Sequence, residues 1–450
     1  MPPKLRFASK RAFQQVQPSS RPPVTPVGRT SAWFLCVAAL LTTGCLGRIS
    51  PDVGTVCDDG AACAGEENPN ESKSMAESCS GDDCPEDGDD SSDQDDQDDQ
   101  DPTPMAGAMA GGMYTGDGMC LSPVTRPETS RGSGFFVADG NIYDPNGCQF
   151  VPFGFNGAVF WNVEVDGSRG QHPEAHKGSF ADMGAAGANA VRIVTQTAGS
   201  FGWNSNPETQ RELVELAVEN RLVPILEMHN ATCGEQPIEP IRTYWESTDM
   251  VQLAQDFEDT MWINIANEAD FESPEKWRDF YAATIKSLRE RDVNNLIVLD
   301  AGARCGQDPE AILKYGQEIL DGDPNHNVVF SFHMYGYWRT EECPRCGEGW
   351  TPPFKVEEDF KALRDTGLAI FIGEFGWDAV EDASVLYDPQ VVVQTAEELG
   401  IGWTFWSWYE ENPNYQAVND LTQPDDLTQA GEFLLPYIRS IAQPATHMAP

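Results

Sequence analysis

Ala190-Val-Arg-Ile-Val-Thr195, a segment from Pro207 to Arg221, and then Leu222-Val-Pro-Ile-Leu-Glu-Met-His229 read together as one β-α-β unit. The outer runs are short and almost wholly apolar, as strands covered on both faces are. The segment between them is amphipathic and opens on a proline, whose missing N–H costs nothing in a first helical turn. The same beat extends in both directions. Apolar runs fall at Phe150 to Asn156, Ala190 to Thr195, Leu222 to His229, Trp262 to Asn267, Leu296 to Asp300, Val328 to His333, Ala369 to Glu374 and Gly402 to Ser407. Amphipathic stretches such as Pro274 to Arg291, Pro309 to Leu320 and Pro389 to Leu399 lie between them. Eight such units predict an α/β chain closed into a (β/α)8 TIM barrel. An open doubly wound sheet would want a glycine-rich phosphate turn after its first strand, and Phe155-Asn-Gly-Ala158 is not one. Ahead of the first run, Gly134-Phe-Phe-Val137, Asn141-Ile-Tyr-Asp144 and Asn146-Gly147 predict a short N-terminal β-hairpin.

The barrel is expected to occupy residues 120–450, and what precedes it has a different character. The first 29 residues hold six Lys or Arg and no acid, and are followed by apolar Ala32 to Leu41 and by Thr42-Thr-Gly-Cys45. That is a signal-peptide plan for residues 1–45. The apolar run is far short of the roughly 20 residues a membrane-spanning helix needs. Because the ending resembles a bacterial lipobox, the expectation is an exported protein that meets the membrane only through a lipid on Cys45. An ordinary secretory signal with an incidental Cys45 is the alternative. Residues 46–119 carry 20 acidic and two basic residues, densest from Asp87 to Asp101. They predict a disordered, self-repelling tether, and no spacing within them matches an EF-hand loop.

The formal net charge is −43, and residues 120–450 alone hold 52 acidic against 21 basic residues. Phosphate backbones and anionic surfaces bind clustered Lys and Arg, so nucleic acid is excluded as a partner. A neutral polysaccharide is not, and a monomer is expected. Twelve cysteines in an exported chain point to disulfides rather than metal. The expected pairs are Cys120 with Cys148, Cys233 with Cys305, and Cys343 with Cys346; the second would tie the loops after the third and fifth strands.

In such a barrel the chemistry sits where strands end. The run ends and the positions just after them supply Asn156, His229, Asn230, Asn267, Glu268, His333, Tyr335, Glu374 and Trp406, and Arg192 lies within the second strand. Any one of these could be a helix cap or a salt-bridge partner; the set recurring at one end of separate strands is what points to function. Glutamates ending the fourth and seventh strands would face each other across the mouth, which suits retaining glycoside hydrolysis with carboxyls about 5 Å apart. A guanidinium from Arg192 beside Glu374 would favour its ionised, nucleophilic form, leaving Glu268 the protonated acid/base. This chemistry needs no cofactor and no metal.

These motifs resemble glycoside hydrolase family 5. The resemblance spans about residues 132–441 and rests on Gly187-Ala-Asn-Ala-Val-Arg-Ile-Val194, Leu226-Glu-Met-His-Asn230, Ile263-Asn-Ile-Ala-Asn-Glu268, Val329-Phe-Ser-Phe-His-Met-Tyr335, Ile372-Gly-Glu-Phe-Gly376 and Gly402-Trp-Thr-Phe-Trp-Ser-Trp408. It implies Glu268 as acid/base and Glu374 as nucleophile, with Asn267 at the sugar 2-hydroxyl. It further implies Arg192 and Tyr335 around the nucleophile, His229 and His333 lining the cleft, and Trp406 beneath the reacting sugar. The bacterial endo-β-1,4-mannanase subgroup is the most similar. Asn230, Ala269, Trp377 and Tyr409-Glu-Glu411 depart from its pattern on the rim, so an endo-β-1,4-glucanase stays open as an alternative. A non-catalytic, surface polysaccharide-binding lipoprotein is the alternative of another class. Trp161, Trp203, Trp338, Trp350, Trp377 and Trp408 fall in or beside loops and stand equally as sugar platforms or as core.

Overall fold

Asp139 and Gly140 take positive φ angles of 46° and 70°, the conformation a two-residue hairpin turn demands. They join β1 (Phe136–Ala138) to β2 (Asn141–Tyr143) as the expected antiparallel hairpin. The turn thus forms at Asp-Gly, with Asn146-Gly147 lying beyond the second strand. This computed structural model describes residues 122–157, 173–197, 205–341, 351–377, 385–410 and 415–441, all within the compact unit Gln97–Pro450. The expected signal segment, lipobox, acidic tether and Cys343–Cys346 pair lie outside the described residues.

The barrel strands are β3 (Phe153–Gly157), β4 (Ala190–Thr195), β5 (Val223–Met228), β6 (Trp262–Asn264), β7 (Ile297–Asp300), β8 (Val328–Met334), β11 (Ile370–Phe375) and β12 (Gly402–Phe405). They pair in parallel in that order and close β12 back onto β3, as eight consecutive βα units require. The helices are α1 (Pro173–Ala186), α2 (Pro207–Glu219), α3 (Glu239–Trp245), α4 (Thr248–Asp256), α5 (Pro274–Arg289), α6 (Glu310–Gly322), α7 (Val356–Asp365), α8 (Pro389–Leu399) and α9 (Gln429–Ile441). A two-stranded pair, β9 (Trp338–Arg339) and β10 (Phe354–Lys355), decorates the segment after β8. The prolines do what their positions predicted: Asn206, Ser273 and Asp388 cap α2, α5 and α8, each followed directly by Pro. No helix among the described residues is long and apolar enough to cross a membrane.

Two apolar clusters divide the structure. One fills the space between barrel and helices. The other plugs the barrel floor, where Trp262, Ile225, Val298, Val329 and Phe371 meet Phe135, Val137, Ile142 and Phe150 of the hairpin region. Phe135 and Phe150 sit edge-on to the Trp262 ring, with centroids 5.4 and 5.9 Å away. Asn327 ties the hairpin to this floor, accepting from Val137 N–H and donating to the Phe135 carbonyl. The hairpin therefore stoppers the N-terminal face and leaves the opposite face for chemistry.

On the same floor Arg289 makes a buried two-pronged contact with Asp323, at 2.9 and 3.0 Å, and donates to the carbonyls of Val293 and Asn295. Burial alone would raise the Asp323 carboxyl. The Arg289 charge and hydrogen bond, with the N–H groups of Asn327 and Asn325, outweigh that and hold it below the ordinary carboxylate range. A depressed folded pKa contributes stability that is present above the unfolded value and lost as pH falls through the folded one. Arg289→Met should therefore cost roughly 3–5 kcal/mol by stranding a buried carboxylate, read as a lower Tm by calorimetry at neutral pH. The gap from wild type should narrow as the solution is acidified below the usual carboxylate range.

Candidate active site

Arg192, on β4, is fully buried and is the hub of the open face. Its Nε donates to Asn264 Oδ1 (2.8 Å). One terminal nitrogen donates to Asn156 Oδ1 (3.0 Å) and Glu374 Oε1 (2.8 Å), and the other to Asn267 Oδ1 (2.6 Å) and Asp300 Oδ2 (3.4 Å). Strands β3, β4, β6, β7 and β11 thus converge on one guanidinium. Glu227 of β5 lies 3.9 Å from it. Carboxylates around it raise its pKa in spite of burial, so it is a fixed cation.

Glu374 and Glu268 are 3% and 7% exposed, and a carboxylate oxygen of each lies within 4.8 Å of the other. That separation matches the short span of a retaining pair rather than the wider gap that houses a water. Glu374 sits on β11 after a register shift at Gly373. A side chain at Gly373 would strike the His333 ring and Ser331 hydroxyl at 2.6 Å, so only glycine lets the His333 imidazole pack there. Glu374 Oε1 takes the Arg192 bond and Oε2 accepts from Tyr335 OH at 2.8 Å. Burial raises its carboxyl, opposed by the Arg192 guanidinium and the Tyr335 hydroxyl. The expected Arg192 contact that favours ionised Glu374 is present, yet burial leaves the carboxyl above its ordinary value.

Glu268 stands well above the ordinary carboxylate value, from burial first and then from the charges of Glu374 and Asp300, with only a more distant pull from Arg192. Its Oε1 is 2.8 Å from His333 Nδ1. Burial and the nearby guanidinium push His333 far down, so the ring is neutral. Its Nε2 lies 3.4 Å from Asp300 Oδ2 but makes no hydrogen bond to it, and a neutral imidazole can accept at Nδ1 from a protonated Glu268. The environments of the two glutamates therefore differ in the sense that acid and nucleophile require. Glu268, His333 and Glu374 also have the spacing of a metal-ligand set. Their donor atoms are already engaged with one another, with Tyr335 and with a cationic guanidinium that would repel a metal ion.

The other expected residues gather on the same face. Asn267 donates to Thr232 Oγ1 (2.9 Å) and lies 3.3 Å from His229 Nε2, so its amide is held at both ends. His229 is pushed down to about 3, chiefly by burial, and is neutral; its Nδ1 meets Glu227 Oε1 at 2.8 Å. The His229 ring stacks beside half-buried Trp406 with centroids 5.9 Å apart. The Trp406 indole N–H donates to Glu410, whose carboxyl is pushed up to about 8 by burial, against that hydrogen bond and with the charge of Glu374. Asn230 instead turns away to accept from Thr197 N–H.

Three tryptophans offered as sugar platforms are core. Trp338, Trp377 and Trp408 are buried, Trp408 edge-on to Phe155 and Trp338 stacked on Phe332. Trp161, Trp203 and Trp350 lie outside the described residues. The Cys233–Cys305 bond forms as expected, and Cys148 is disulfide-bonded, with its expected partner Cys120 outside the described residues. Sequence reasoning missed Asp300 and Glu227 as members of the site. Asp300 ends its apolar run like the others, which was signal enough; Glu227 sits within a quoted motif, and its inward register would have exposed it.

A sequence model of the family described as "Cellulase (glycosyl hydrolase family 5)" matches residues 143–412. The chain is 33% identical over 281 residues to the mannan endo-1,4-beta-mannosidase of Salipaludibacillus agaradhaerens, covering 61% of this chain and 82% of that protein. It is 28% identical over 318 residues to the enzyme of the same name from Streptomyces lividans, covering 69% and 75%. The mannohexaose complex of Thermomonospora fusca beta-mannanase is similar in structure, with a TM-score of 0.58 and 26% identity over 70% of this chain and all of that one.

Replacing Arg192 by Met removes the charge that opposes burial at Glu374. The Glu374 carboxyl should then rise further, and a carbon-detected NMR titration should place its midpoint at higher pH than in wild type. Leaving the surrounding carboxylates uncompensated should also cost roughly 3–5 kcal/mol of stability.

Proposed function

This chain belongs to glycosyl hydrolase family 5, and from that premise we propose that it is a retaining endo-β-1,4-mannanase with Glu268 as acid/base and Glu374 as nucleophile. The observation that carries the roles is the pair of buried carboxyls within 4.8 Å of each other, one against a guanidinium and a tyrosine hydroxyl, the other against a neutral imidazole. The names of these similar proteins support mannan over cellulose as substrate.

In the first step protonated Glu268 gives its proton to the glycosidic oxygen while Glu374 attacks the anomeric carbon, forming a glycosyl ester and releasing the leaving chain. Arg192 and Tyr335 stabilise the carboxylate before attack and orient it. In the second step Glu268, now ionised, takes a proton from water as that water displaces Glu374. Asn267, tethered by Arg192 and Thr232, is placed to hold the sugar 2-hydroxyl, and Trp406 offers a ring face to the pyranose. The leader of residues 1–45 supports export, with a lipid on Cys45 tethering the barrel through the acidic segment to the cell envelope.

Reducing ends should accumulate on galactomannan or glucomannan, with little release from carboxymethyl-cellulose; the reverse pattern would make it an endoglucanase. Glu374→Gln should lower kcat by roughly 1,000-fold or more. Binding of mannan with no hydrolysis by the wild-type chain would instead favour the binding lipoprotein. Proton NMR of early products should show the β-anomer first.

A further inference from the structure

Glu268 is held in a backbone conformation that side chains avoid, with φ at 43°, and so are its neighbours Cys233, Arg304 and Cys305, at 51°, 54° and 53°. Left-handed backbone at four non-glycine residues persists only where surrounding contacts over-determine it. Those contacts are local. Cys233 N–H donates to the Glu268 carbonyl at 2.9 Å, and Thr232 bridges antiparallel to Ala269, so the two segments lie side by side as a minimal ribbon. Cys305 N–H donates to Asp270 Oδ1 at 2.9 Å, and the Gly306 carbonyl accepts from His333 N–H at 2.9 Å. A Cβ on Gly306, itself at φ 70°, would lie 3.1 Å from Glu268 Cγ. The loops after β5 and β7 therefore clasp the Glu268 backbone and side chain from two sides, and the Cys233–Cys305 bond joins them across 72 residues of sequence. Cys233 Sγ lies 3.8 Å from Glu268 Oε2.

We propose that the Cys233–Cys305 disulfide is a positioning element for the acid/base: it clamps Glu268 against His333 and walls one side of its carboxyl with sulfur rather than water. The proposal rests on the assignment of Glu268 as acid/base. Sulfur beside the carboxyl excludes the solvent that would favour its charged form, and the clamp keeps its proton within reach of the glycosidic oxygen. Opening the clamp would leave the nucleophile side, held by Arg192 and Tyr335, in place. The defect would then be confined to proton delivery.

That confinement is measurable through the leaving group. Dinitrophenolate departs without protonation, whereas phenolate and a sugar alcohol need an acid, so a faulty acid spares kcat/KM on the first and harms it on the others. Wild type, Glu268→Ala and the double variant Cys233→Ala/Cys305→Ala should be assayed on dinitrophenyl and phenyl β-mannobiosides and on mannan. For the double variant kcat/KM should fall about tenfold on the phenyl glycoside and mannan, well inside the roughly 100- to 10,000-fold that general acid catalysis supplies. On the dinitrophenyl glycoside it should stay within about twofold. The alkaline limb of its pH profile should move to lower pH. The ratio between substrates does not depend on the folded fraction, so lost stability cannot mimic this result. If the double variant is not recovered, wild type assayed in a water-soluble phosphine supplies the same comparison, the phosphine being oxidised as the disulfide takes up two electrons and two protons. Equal losses on both aryl glycosides, or no loss on either, would reduce the disulfide to a structural staple and overturn the proposal. If Glu268→Ala itself shows no dependence on leaving group, the acid/base assignment fails, and the proposal with it.

Discussion

One buried guanidinium organises the open face of this barrel. Arg192 donates to residues on or just after four other strands, and Glu227, Glu268, Asp300 and Glu374 all bear on it. A single positive charge cannot compensate four carboxylates out of water. The shortfall falls on Glu227 and Glu268, both held well above the ordinary carboxylate range, and Glu268 faces a neutral imidazole and two acidic neighbours. Electrostatic scarcity, rather than a special property of either glutamate, sets Glu268 apart from Glu374 in the sense that the proposed acid and nucleophile require.

The two faces of the barrel divide the labour. At the floor the hairpin, Trp262 and the Arg289–Asp323 pair close the apolar interior and satisfy buried backbone groups. At the mouth the same strands end in polar side chains that would be costly to bury without use, and several neighbouring backbones adopt left-handed conformations.

Much of this was legible in the chain. Strands covered on both faces read as unbroken apolar runs, so all eight barrel strands could be located, and Ala190–Thr195 coincides with its run at both ends. Once the strands were placed, their ends named Asn267, Glu268, His333, Tyr335 and Glu374, and Arg192 stood out as a charge inside an apolar run. The Cys233–Cys305 bond was legible too, because barrel topology brings two loops to one mouth. Other features were not. Whether a tryptophan beside a loop faces sugar or packs inward depends on side-chain direction, and Trp338, Trp377 and Trp408 all turned inward. Asp300 at its run end and inward-facing Glu227 were within reach of the sequence, but the side chains they support are brought to them only by the closed barrel. The left-handed backbone at Glu268 is imposed by loops distant in sequence.

The central claim is that Glu374 carries the sugar between the two steps. A mannosyl fluoride bearing fluorine at the sugar's second carbon slows both steps, the departure of fluoride needs no acid, and the glycosyl ester accumulates. Mass spectrometry of the digested enzyme should find the label on the peptide containing Glu374, with none in Glu374→Gln. A label on the peptide containing Glu268 would contradict the account.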